Sequence, residues 1–227
     1  MFKAVIFDAK GTLVYGPTKS EAIKHALETK GYHIPLERVS EAFDMARTIT
    51  ALLHGQGLLR LGKKGYILET QIRLILLGFD VPSAKKLGIE MSNEWVKISN
   101  KRTYPETVKV LKELRKRNLK IALLTAGSTL SYNKIFKLLG IKKYFDIIAG
   151  EDTINISKPA RKAYFYVLKK LKCNPQEVLF VGDDLIKDYV VPKKLGMHAV
   201  LVDHNCSVKE KVEKITSLDE LLPIIDQ

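Results

Sequence analysis

The chain is predicted to be an α/β protein, with a Rossmann-like parallel sheet flanked by helices on both faces and a small α-helical domain inserted after the first strand. Three observations predict it. From Pro105 onward, short apolar runs alternate with segments of helical periodicity, which implies a parallel sheet covered on both sides. Residues 16–99 carry helical periodicity only. At 227 residues, with 46% hydrophobic and 28% charged side chains, the chain can bury a sizeable core.

The first strand is the apolar run Ala4-Val5-Ile6-Phe7, closed by a turn. In the insertion, helices are predicted over Ser20–Lys30, behind a Ser/Thr cap, and over Pro35–Thr50, Tyr66–Leu77 and Ser83–Ser99. The alternating half then reads helix Glu106–Asn118, strand Ile121–Leu124, helix Ser131–Leu139, strand Ile147–Ala149, helix Lys158–Leu171, strand Val178–Val181, a helix near Tyr189–Leu195 and strand Ala199–Val202. The division expected is a core of residues 1–15 and 100–227 around an α-helical insertion of residues 16–99. No internal repeat or low-complexity tract stands out.

The chemistry sits where the strands end. Phe7-Asp8-Ala9-Lys10-Gly11-Thr12-Leu13 places a carboxylate at the carboxyl edge of the sheet, where open α/β proteins keep their ligands. An aspartate at a strand end is more often a turn former or a helix cap. Three later segments shift that balance: Ile121-Ala-Leu-Leu-Thr125-Ala126-Gly127-Ser128, Ser157-Lys158-Pro159, and Val178-Leu-Phe-Val-Gly182-Asp183-Asp184-Leu-Ile-Lys-Asp188. In a parallel sheet their ends share one pocket with Asp8. In this order and spacing the four segments resemble the motifs of the haloacid dehalogenase (HAD) superfamily, along nearly the whole chain.

The resemblance implies a hydrolase, most of that superfamily being phosphatases that work through an aspartyl-phosphate. Asp8 matches the nucleophile, Thr125 the hydroxyl that binds the transferring phosphoryl group, and Lys158 the charge-balancing lysine. Asp183 matches a magnesium ligand, and Asp188 the acid that supports the lysine and the metal shell. Mg2+ is the implied cofactor, held by Asp8, Asp183 and the backbone carbonyl of Lys10, with Gly11, Thr12, Thr125, Ala126 and Lys158 around the substrate. Asp184 has no assigned role, since many relatives carry a small polar residue there. The residue types fit the chemistry: a carboxylate attacking a phosphate ester needs a cation, a lysine and hydrogen-bond donors to offset the accumulating negative charge.

Lys10 departs from the pattern, because the phosphatases carry an acid/base aspartate two residues after the nucleophile. A lysine, with an ordinary pKa of about 10.4, protonates a leaving oxygen poorly and, while charged, accepts no proton from water. Three consequences stay open at this level. The chain is a Mg2+-dependent phosphatase of a small phosphorylated metabolite, slowed by Lys10; or it performs displacement at carbon through an Asp8 ester, as 2-haloacid dehalogenases do; or it is a weak or inactive member that binds a ligand or protein partner. Lys10 folded over the pocket mouth and paired with an acid is the bland alternative. Asp183 argues against the dehalogenase reading, since those relatives usually lack it.

The helical insertion resembles the α-helical cap of one HAD subclass, which selects the substrate. Its stretch Gly55-Gln-Gly57-Leu-Leu-Arg60-Leu-Gly62-Lys63-Lys64-Gly65-Tyr66 is a candidate specificity loop with Arg60 as the substrate contact, or equally a flexible connection with solvated charges. Tyr15, Arg47 and His54 are weaker candidates; His25 and His33 read as surface or packing residues and Trp95 as cap core. The net charge of +13 and pI near 9.6 would suit nucleic acid, but the excess is spread over the core half and densest at a helix end, Lys112–Lys120, where cations complement the helix dipole. A solvated surface, attractive to small anions, is the expectation, and a nucleic-acid partner is not. No apolar run approaches the ~20 residues that span a bilayer. With no leader pattern and two separated cysteines, Cys173 and Cys206, expected as free thiols, a cytoplasmic monomer or homodimer is anticipated.

Overall fold

The computed structural model describes residues 1–60 and 62–226. In chain order the elements are β1 (Ala4–Phe7), β2 (Val14–Tyr15), α1 (Lys19–Glu28), α2 (Leu36–Gly55), α3 (Lys63–Leu76), α4 (Val81–Ile98), β3 (Arg102–Thr103), α5 (Thr107–Lys116), β4 (Lys120–Leu124), α6 (Thr129–Leu138), β5 (Ile147–Ala149), α7 (Glu151–Ile154), α8 (Arg161–Leu171), β6 (Val178–Gly182), α9 (Val191–Lys194), β7 (His198–Val202), β8 (Lys214–Ile215) and α10 (Leu221–Ile225). The chain forms two compact units, residues 1–15 with 102–227 and residues 16–101.

The first unit is built on a six-stranded sheet of order β5-β4-β1-β6-β7-β8. Every neighbouring pair is parallel. Helices cover both faces, so the α/β, Rossmann-like architecture expected from the alternation is present. Burial explains why β1 is a continuous apolar run: Ala4, Val5, Ile6 and Phe7 are all fully buried, as a central parallel strand requires. Ala4 and Ile6 pack with Tyr164, Val167 and Leu168 of α8. On α5, Val110, Leu111 and Leu114 form the buried stripe. Register places Phe7 beside Leu123 and Val181, which aligns the carboxyl ends of β1, β4 and β6.

Boundaries depart from expectation for local reasons. Helix α8 begins at Arg161 rather than Lys158, because a proline disfavours helical backbone at the residue before it and Ala160 is an extended cap. Lys158 therefore sits on a loop. The helix expected near Tyr189–Leu195 is the end of a wide π-type turn, Leu185–Val190, followed by α9. Strand β8 and the antiparallel β2–β3 ribbon were not anticipated; two-residue strands carry too little pattern to be read.

The second unit is four helices. Ile23 and Leu27 of α1, Val39 of α2, Leu74 of α3, and Ala84, Leu87 and Met91 of α4 form its core, with Trp95 packed against it as expected. Thr18 rather than Ser20 starts α1, through a capping box with Glu21. Asp80 caps α4 by accepting from the Ser83 amide at 2.9 Å. The Arg73 guanidinium, buried and pushed down to about 9 by that burial, pairs with Glu69 and lies 3.8 Å over the Phe43 ring.

Candidate active site

Asp8 lies one residue beyond β1, and its amide donates to Val181 O at 2.8 Å, extending the β1–β6 ladder. The backbone that carries the carboxylate is thus part of the sheet, a rigid support for a reacting group. Across the sheet edge Thr125 caps β4: its amide donates to Ala149 O at 3.0 Å, and its hydroxyl accepts from the Gly127 amide at 3.1 Å. The buried Tyr132 phenol packs here, hydrogen-bonded to Thr125, and is pushed well above its ordinary value by burial and then by the Asp8 charge.

Lys158 is the centre of the charge arrangement. Its ammonium donates to Asp8 Oδ1 and to Asp188 Oδ1, each at 2.6 Å. Its side chain is 2% exposed. Burial opposes the charge, but the two carboxylates outweigh it and hold the lysine above its ordinary value. Asp188 is held by the Asp184 amide at 3.1 Å, and Tyr164 OH donates to Lys187 O at 2.6 Å to brace the turn. Gly182 makes room: a Cβ there would lie 2.4 Å from Asp188 Cγ.

Asp183 completes the cluster, with one carboxylate oxygen each from Asp8, Asp183 and Asp188 lying within 4.8 Å of one another. One lysine cannot neutralise three carboxylates. Asp188 is pushed up to about 7 by burial and the Asp8 charge. Asp183 keeps part of its surface in solvent, yet partial burial and the same charge push it up to about 6. The surplus of negative charge and the all-oxygen donor set fit a small hard dication.

The other expected residues fall as follows. Thr12 is buried, and its hydroxyl donates a long bond to Asp183 Oδ1 at 3.4 Å. Gly11 has φ +87°, and a Cβ on it would meet Asp183 Oδ2 at 2.2 Å, so only glycine fits. Ala126 is exposed next to Thr125. Lys10 is exposed, and among the described residues its ammonium has no ion-pair partner. Asp184 caps the π-type turn through the Ile186 and Lys187 amides and pairs with Lys187 at 2.6 Å.

Arg60 and Arg47 are exposed in the helical unit, as are His25 and His33. His54 is tied to Leu59 O at 2.9 Å, closing the turn after α2. Of the expected specificity loop, Leu61 lies outside the described residues, and residues 56–60 and 62 lie between α2 and α3.

Sequence reasoning named Tyr15 but missed the aromatic pair that it meets beside this site. His204, two residues past β7, stacks on Tyr104 with ring centroids 3.6 Å apart and planes at 19°, and Tyr104 contacts Tyr15 at 5.1 Å. Burial and then the Asp183 charge raise the Tyr104 phenol above its ordinary value, and its amide bonds Leu13 O, next to the Thr12 that reaches Asp183. The available signal was a histidine just beyond an apolar run, at the same sheet edge as Asp8.

A family model of haloacid dehalogenase-like hydrolases matches residues 2–196. A glyceraldehyde 3-phosphate phosphatase of Methanocaldococcus jannaschii is 28% identical over 89% of this chain and 85% of its own length. Another, from Methanothermobacter thermautotrophicus, is 24% identical over 97% of both. Among solved structures, a 2-haloacid dehalogenase from Pseudomonas syringae superposes with a TM-score of 0.76 at 20% identity, over 100% of this chain and 99% of that one. A HAD phosphatase from Thermococcus onnurineus superposes at 0.66 and 23%, over 99% and 98%. At these identities the structural likeness concerns the fold. No helix among the described residues is long and apolar enough to cross a membrane.

Proposed function

Because the chain belongs to the haloacid dehalogenase-like hydrolases, we propose that it is a Mg2+-dependent phosphatase of a small phosphate monoester, acting through an aspartyl-phosphate at Asp8. The observation that carries the reading is Lys158 bridging Asp8 and Asp188 at 2.6 Å each, with Asp183 in the same cluster. Residues 1–15 and 102–227 form the catalytic core and residues 16–101 the specificity domain, with Arg60 a candidate contact to substrate.

Asp8, Asp183 and the Lys10 carbonyl would hold Mg2+, which when bound offsets phosphoryl charge and screens the approach of one anion to another. An Asp8 carboxylate oxygen attacks phosphorus, the ester oxygen leaves and takes its proton from solvent water to become the alcohol, and the phosphoryl group remains on Asp8. Lys158 and Thr125, with the backbone amide of Ala126, steady its oxygens. Water then cleaves the acyl phosphate, releasing inorganic phosphate and restoring the carboxylate. Asp188 keeps Lys158 aimed at Asp8.

At the Lys10 position this chain lacks the carboxyl that would hand the proton to the leaving oxygen, so turnover favours esters with good leaving groups. The relatives' names make glyceraldehyde 3-phosphate the first metabolite to try.

The test is hydrolysis of p-nitrophenyl phosphate and glyceraldehyde 3-phosphate with and without Mg2+, by the natural protein, Asp8→Asn and Lys10→Asp. Activity that needs both Mg2+ and Asp8 supports the reading. Activity surviving in Asp8→Asn, or halide release from a 2-haloacid under chelator, overturns it.

A further inference from the structure

We infer that His204 is a positioning residue that carries a proton on each ring nitrogen and ties the Thr12 carbonyl to the Thr216 carbonyl, holding in place the loop that bears Asp8 and Lys10. Its Nε2 lies 3.3 Å from Thr12 O and its Nδ1 3.0 Å from Thr216 O. Carbonyl oxygens only accept, and a neutral imidazole has one N–H, so a neutral ring would serve one carbonyl and aim a lone pair at the other.

Two further groups face the ring. Glu106 Oε1 stands 3.9 Å from Nδ1, with the two side chains 12% and 13% exposed. The Tyr104 ring, nearly parallel at 3.6 Å, offers its electron-rich face. Among the described residues, Glu106 and Tyr104 are titratable groups that face the ring.

The tether acts on the loop itself. Leu13 O, the next carbonyl, accepts from the Tyr104 amide at 3.2 Å and from the Thr107 hydroxyl at 2.9 Å. Thr12 also sends its hydroxyl toward Asp183. Tyr104, Thr107 and His204 therefore converge on two consecutive carbonyls of a loop whose far end is Asp8. An imidazolium that joins this loop to the segment after β8 limits its drift, and small displacements of a nucleophile cost much in rate.

The kinetic part of the test rests on the phosphatase reading; the spectroscopic part does not. Long-range 1H–15N spectra of histidine-labelled full-length protein at pH 7, with the His204 signals assigned by their loss in His204→Gln, should show two protonated-type ring nitrogens. A bare nitrogen at His204 overturns the inference. With p-nitrophenyl phosphate, His204→Ala should lower kcat about tenfold with KM changed less than about twofold, and His204→Gln, which keeps a donor, should recover part of the loss. Wild-type kcat in His204→Ala overturns it. If the natural protein shows no phosphatase activity, the phosphatase reading fails by itself, and hydrogen exchange decides the tether. The Gly11 and Leu13 amides, bonded to Val14 O and Ala9 O, should exchange faster in His204→Ala; unchanged exchange refutes the role.

Discussion

Replacing Lys158 by methionine removes the only cation that, among the described residues, is bonded to the carboxylate cluster, while keeping most of the side-chain volume. The ammonium makes two charge-assisted bonds of 2.6 Å, to groups whose side chains are 12% and 1% exposed. Deleting one partner of a buried ion pair costs about 3–5 kcal/mol, because the remaining charge is left desolvated. Here two carboxylates lose their counter-charge, which argues for the upper end of that range. Asp188, however, already sits at about 7, so at neutral pH it takes up a proton cheaply and absorbs part of the penalty.

The expected loss in Lys158→Met is therefore about 3 kcal/mol, a fall in Tm of roughly 6–12 °C for a chain of this size. The assay is thermal unfolding followed by circular dichroism in EDTA at pH 7.5 and pH 5.5. A carboxyl whose folded pKa is raised contributes stability that is fully present below its unfolded value and is lost as pH rises through the folded one. The deficit must accordingly be larger at pH 7.5 and shrink at pH 5.5. A Tm within about 1 °C of the natural protein at pH 7.5, or a deficit that widens on acidification, would refute the claim that Lys158 balances buried charge.

Lys10→Asp should raise Mg2+-dependent hydrolysis of unactivated esters by roughly 100-fold or more, the lower end of a general acid's contribution, with a smaller gain on p-nitrophenyl phosphate; equal or lower rates on both would show that the lysine is not what limits proton transfer. Mg2+ at about a hundredfold excess over its Kd should stabilise the natural protein by about 2.7 kcal/mol, or roughly 5–10 °C in Tm, and Asp183→Asn should abolish that shift while leaving the metal-free Tm no lower. Gly11→Ala forces a Cβ into Asp183 at positive φ and should destabilise by over about 1 kcal/mol, read by urea unfolding. The Ser207 and Val208 amides hold Asp203 below the ordinary carboxylate value, so its stabilising contribution is present at pH 5 and lost as pH falls through that lowered value. The Tm gap between the natural protein and Asp203→Asn should narrow from pH 5 to pH 2, and a constant gap would count against it.

Much of the site was legible because its signals are local. An apolar run ending in Asp8, another ending in Thr125 and a third ending in Gly182-Asp183 each reveal a strand and a polar group at its carboxyl edge, whatever the rest of the chain does. Lys158 was legible as a lysine before a proline but was assigned to a helix; Pro159 and the extended Ala160 keep it on a loop. Gly11 and Gly182 were visible only as glycines, since the side chains that forbid a Cβ there, Asp183 and Asp188, are distant or folded back in space. His204 and Tyr104 were missed because neither belongs to a spacing pattern.

The sequence by itself determined the order of strands and helices, the insertion of helices after the first strand, and which acids stand at strand ends, because hydrophobic periodicity and turn chemistry act over a few residues. The tertiary structure decided which groups touch. Lys158 meets Asp8 across 150 positions of chain and His204 meets Thr12 across 192, and both meetings depend on the parallel register that lays the carboxyl ends of β1, β6 and β7 side by side. Charge balance, raised carboxyl pKa values and the tether on the Asp8 loop all follow from those separations closing to hydrogen-bond length, a property of packing that no short stretch of residues contains.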